Sequence, residues 1–95
     1  MKSLVVSDRA IYSFKHDWGL EEGQHVRIYV KYAGGGSDAF TVGLNANATP
    51  IDPVWVQSIE GIHFFIEHTD AWILEKQLLQ IGCDAEGITL DRITY

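Results

Sequence analysis

Hydrophobic periodicity changes once in this chain, and that change restricts what it can fold into. Ala10, Ile11, Phe14 and Trp18 recur at helical spacing, with Arg9, Lys15 and Asp17 between them. From His25 the period becomes two: Val26, Ile28, Val30 and Tyr32 alternate with Arg27, Tyr29 and Lys31. One amphipathic helix is therefore predicted over residues 8–18, followed by strands to the end of the chain. Ser7 and Asp8 can each cap the helix start with a side-chain oxygen. Gly19 can end it in the left-handed conformation. The helix should bury Ile11, Phe14 and Trp18.

The remaining segments read as short strands. Leu4–Val6 can be a first strand. Phe40, Val42 and Leu44 alternate with Thr41, Gly43 and Asn45, and Asn45 to Pro53 reads as a polar surface loop. Val54–Ile59 and Ile62–Glu67 flank Glu60-Gly61, which predicts a hairpin. Trp72–Leu74 and Leu78–Ile81 are short apolar runs, and Ile88–Leu90 can be a last strand. The expected architecture is mainly β (α+β), a sandwich or pseudo-barrel of about seven short, mostly antiparallel strands with one N-terminal helix. With 95 residues and 46% hydrophobic side chains, residues 1–95 are expected to make one domain.

Charge and cysteine content exclude several functions. Thirteen acidic against seven scattered basic residues give a net charge of −6, with no basic stripe for nucleic acid or an anionic membrane. The start of the chain has no long apolar run, so neither a signal peptide nor a membrane span is expected there. The single cysteine, Cys83, cannot form an internal disulfide, and a cytoplasmic location is expected.

Candidate chemistry is sparse. Gly34-Gly35-Gly36 is followed by a strand pattern rather than a helix and lysine, so it reads as a turn and not a phosphate cradle. His63, Glu67, His68 and Asp70 are chemically able to bind a metal. On a strand His63 and Glu67 share one face while His68 points away, so these residues read as surface groups on a turn. Asp84 beside Cys83 does not favour a thiolate, so Cys83 reads as a small, partly buried core residue. No catalytic motif is present, and an enzyme is not expected. No catalytic, cofactor-binding or metal residue is assigned.

Val30-Lys31-Tyr32-Ala33-Gly34-Gly35-Gly36-Ser37-Asp38-Ala39-Phe40 resembles a stretch of the HesB family, the A-type iron–sulfur carriers, in which a strand ends in a valine and a basic residue before a Gly-Cys-Ser-Gly turn. Gly61–Glu67 followed by Leu74–Leu78 is similar to that family's hairpin strand, acidic turn and Gln-Leu strand, and the helix after Ser7-Asp8 also fits. In the carriers one cysteine lies in the glycine-rich turn and two in a Cys-Gly-Cys tail. Here the turn position falls on Gly35, Tyr95 ends the chain with no counterpart of the tail, and Cys83 falls in neither motif. Clusters are held mainly by thiolates, commonly four, and two copies of the chain would supply two. The resemblance thus implies a degenerate, cysteine-poor relative of cluster-biogenesis carriers: a non-catalytic binding or regulatory module with no cofactor, an unidentified protein partner and the option of a homodimer. The alternative is a carrier of iron or a cluster through His63, His68, Asp70 and Cys83. Three consecutive glycines are costly to order, so Gly34, Gly35, Gly36 and Ser37 form a candidate binding loop expected to stay mobile or to close only when a partner binds; the other reading is a glycine-rich hairpin connection with no role.

Overall fold

The computed structural model describes residues 4–32, 40–75 and 77–94. In chain order these form β1 (Leu4–Val6), α1 (Asp8–His16), β2 (His25–Tyr32), β3 (Phe40–Ala46), β4 (Pro53–Ile59), β5 (Ile62–Glu67), a 3-10 turn (Ala71–Leu74), β6 (Gln77–Asp84) and β7 (Gly87–Thr94). Among the described residues the chain is mainly β with one α-helix. A four-stranded sheet has the order β3-β2-β5-β4 and a three-stranded sheet the order β1-β6-β7. The β2–β3, β4–β5 and β6–β7 pairs are antiparallel, while β1–β6 and β2–β5 are parallel.

The helix begins where the sequence provides a cap. Ser7 is extended, and its Oγ accepts the Ala10 amide N–H at 3.1 Å, which satisfies one of the orphan donors of the first turn. Ser7→Ala is expected to lower stability by about 1 kcal/mol, measured by chemical denaturation. The helix ends at His16, two residues before the predicted end. The amides of Asp17 and Trp18 both donate to the Ser13 carbonyl, Gly19 takes φ +73°, and the Leu20 amide returns to the Phe14 carbonyl at 2.9 Å. This turn buries Leu20 and lifts Trp18 outward. Ile11 and Phe14 are buried as expected, but Trp18 stays 40% exposed with its ring edge-to-face on Phe14, 4.9 Å between centroids.

The core lies between the sheets and under the helix. Leu4, Leu79 and Ile81 come from the small sheet, Val26, Ile28, Val42, Ile62, Phe64 and Ile66 from the large one, and Ala10, Ile11 and Phe14 from α1. The alternation in β2 sends Val26 and Ile28 inward, as the period of two requires. β5 sits between β2 and β4, which satisfy both of its backbone edges, and one side chain on its outer face is buried as well. Phe65 is fully buried there, in register with Arg27 on one side and Val56 on the other, with His25 packed against its ring edge. The β4–β5 hairpin turns at Glu60 and Gly61, whose φ values of 48° and 84° are those of a type I′ turn.

Some boundaries differ from the sequence reading. β3 runs to Ala46, because Asn45 still pairs with Arg27 and Ala46 with Val26, which shortens the predicted loop. Trp72–Leu74 belongs to the 3-10 turn and not to a strand, and β7 extends to Thr94 through its ladder with β6. No helix among the described residues is long and apolar enough to cross a membrane.

Candidate functional site

The most distinctive surface feature is an aromatic edge. Tyr32, the last residue of β2, is paired with Phe40, the first of β3, and their rings lie 5.7 Å apart. Trp72 meets Phe40 edge-to-face at 5.5 Å. The three side chains are 69%, 44% and 53% exposed respectively. Their large apolar surface faces solvent although the same chain buries Phe14, Phe64 and Phe65 completely.

Polar contacts hold this edge in place. Asp70 opens the turn that carries Trp72. Its carboxylate accepts the Arg27 guanidinium N–H at 2.8 Å and lies 3.4 Å from the Val30 amide nitrogen, which donates to it. Two residues of that turn, Ile73 and Leu74, are buried in the core beneath it. Glu67, at the end of β5, is buried too. It accepts the Ile51 and Asp52 amides at 3.0 and 2.8 Å, and its backbone carbonyl accepts the Asp70 amide. A carboxylate out of water persists only when such donors compensate it. From the opposite sheet, Arg92 Nη2 donates to the Phe40 carbonyl at 3.0 Å. Trp72 and Phe40 thus stand on rigid supports, as binding side chains require.

The sequence-derived candidates separate in space. Glu67 and Asp70 are buried structural anchors, which corrects their reading as surface groups on a turn; their donors lie far away in sequence. His68 is exposed, with Nδ1 3.4 Å from an Asp52 carboxylate oxygen. His63 is on the outer face of β5, its Nδ1 2.5 Å from Ser58 Oγ. Cys83 is in β6, in register with Ile88 and packed against the core. Among the described residues no three His, Cys, Asp or Glu side chains gather into a metal-binding group. The candidate loop Gly34, Gly35, Gly36 and Ser37 lies outside the described residues, between Tyr32 and Phe40. Sequence reading missed the aromatic edge. The signal available was an aromatic residue on each side of the glycine run, which the strand alternation had absorbed.

Beside the buried carboxylates is an open cleft of about 190 Å³ lined by Arg27, Ile51, Asp52, Glu67, His68 and Thr69. The Asp52 and Glu67 carboxylates on its wall oppose an anionic ligand.

No family model matches the chain. Over 82 residues it is 28% identical to a curated Bacillus subtilis (strain 168) protein named pyruvate dehydrogenase inhibitor, covering 84% of this chain and 85% of that protein. The crystal structure of Escherichia coli SufA, a protein involved in biosynthesis of iron–sulfur clusters, superposes with a TM-score of 0.65 at 14% identity, over 97% of this chain and 80% of that one. The chain therefore has the fold of SufA.

Proposed function

We propose that this chain is a HesB-like protein, built on the fold of a cluster-biogenesis carrier but lacking its cysteine ligands, that acts as a non-catalytic binding module regulating an enzyme assembly. The carrying observation is the exposed edge of Tyr32, Phe40 and Trp72 propped by Asp70, Glu67 and Arg92. Trp and Tyr dominate the few residues that supply most of the energy in protein interfaces. Tyr32 and Phe40 flank in sequence the glycine run where, by the resemblance, a carrier has its first cysteine. The relative named as a pyruvate dehydrogenase inhibitor makes pyruvate dehydrogenase the first partner to test. Binding of the purified chain to the separate components of that complex, followed by calorimetry, should saturate with one of them. Absence of binding to all of them would remove this partner.

The alternative, a carrier using His63, His68, Asp70 and Cys83, is disfavoured because these residues do not come together: Asp70 is bonded to Arg27 beneath the turn, His63 lies on the outer face of β5 and Cys83 packs against the core. Anaerobic reconstitution with iron and sulfide is expected to leave no stable visible chromophore. About two irons per pair of chains, lost in Cys83→Ser, would establish the carrier reading instead.

A further inference from the structure

The parallel pairing of β2 with β5 places His25 directly beside His63. Their ring centroids are 4.8 Å apart with the planes tilted by 40°. In sequence these residues lie in different strands and show no relation. Both are half-buried on the outer face of the large sheet, where His25 also touches the edge of Phe65. His63 is already oriented. Its Nδ1 meets the hydroxyl of Ser58, the residue in register with it on β4. Neither His63 Nε2 nor the His25 ring is engaged in a hydrogen bond with another described residue.

We propose that His25 and His63 form a two-histidine site for a borderline divalent transition ion, zinc(II) or copper(II). Imidazole nitrogen is a good ligand for such ions. Two imidazoles bound to one tetrahedral ion at about 2.0–2.1 Å per nitrogen have ring centroids roughly 5 Å apart, close to the separation here. When the His63 Nδ1–H donates to Ser58 Oγ, the tautomer leaves the Nε2 lone pair free for the ion, which is the usual role of an outer hydrogen-bond partner at a metal-bound histidine. The surrounding charge favours a cation: Glu60 is exposed in the adjoining hairpin turn, and the Glu22 side chain packs against Gly61. Two ligands leave coordination positions open for water or for a side chain of a bound protein. The site is on the sheet face away from Cys83, differs from any cluster ligand set, and does not depend on the aromatic edge as a docking surface.

Zinc(II) and copper(II) titrated separately into the purified full chain, followed by calorimetry, test this directly. One ion per chain is expected. Affinity should fall at least 10-fold in His25→Ala and in His63→Ala, and roughly 10-fold in Ser58→Ala through loss of the orienting contact. It should be unchanged in His68→Ala, because His68 stands apart beside Asp52. If an alanine variant loses its native far-UV circular dichroism, His25→Gln, which keeps most of the bulk, replaces it with the same expected loss. Wild-type affinity in the His25 variant would overturn the proposal, as would the absence of saturable binding of either ion. In both cases the rings are only a packed pair.

Discussion

Replacing Phe64 with alanine is expected to destabilise the domain by about 4 kcal/mol. The ring is fully buried in the central strand β5, between the sheets, and meets Phe14 of α1 at 5.5 Å. It therefore joins the helix to the large sheet, and a cavity there borders elements that cannot collapse together without breaking the β2–β5 and β4–β5 ladders. Domains of this size are stable by roughly 5–15 kcal/mol, so this loss takes a large share of the total. Phe65→Ala should cost less, although Phe65 is equally buried. Its cover on the outer face includes the side chain of His25, which can settle into the gap more easily than a packed core. Urea denaturation of the two variants gives the comparison. A loss below about 2 kcal/mol for Phe64→Ala would mean that this ring does not tie the layers together.

The second large effect concerns binding and not folding. Trp72→Ala removes the largest side chain of the aromatic edge while Ile73 and Leu74 keep the 3-10 turn seated in the core. Stability should change by less than about 0.5 kcal/mol, as for other exposed positions. Affinity for a partner that docks on this edge should fall by at least about 2 kcal/mol, roughly 30-fold, as for an interfacial tryptophan. Tyr32→Ala, at the far end of the same row, should weaken binding with equally little effect on stability. Asp70→Asn provides a contrast. It weakens the charge-assisted contact to Arg27 beneath the turn and should reduce stability and affinity together. If Trp72→Ala and Tyr32→Ala leave affinity unchanged while Asp70→Asn reduces it, the docking surface lies elsewhere.

What could be read from the chain depended on how local the cause was. The Ser7 cap, the φ reversal at Gly19, the inward Val26 and Ile28 and the Glu60-Gly61 hairpin all follow from neighbours within a few residues, and they were legible. The exposure of Trp18 was not, because the bonds of Asp17 and Trp18 to Ser13 end the helix before the pattern does. Burial of Glu67 and Asp70 was also hidden. A carboxylate in a polar turn looks like a surface group until a distant donor arrives, and Arg27 is 43 residues from Asp70. The same limit concealed the histidine pair, which exists only because β2 and β5 run parallel after two intervening strands. Strand alternation correctly placed Tyr32 and Phe40 at strand ends. It could not show that Trp72 packs against Phe40, since that contact depends on the turn after β5 reaching across to the start of β3.

The claim that this chain regulates an enzyme by docking, without a cluster, is tested most directly by the rate of purified pyruvate dehydrogenase complex titrated with iron-free, sulfide-free chain. The account predicts that activity falls saturably as the wild-type chain is added, and that Trp72→Ala requires roughly 30-fold more protein for the same inhibition. Full activity at saturating wild-type chain, or inhibition that appears only after iron and sulfide are supplied, would contradict it.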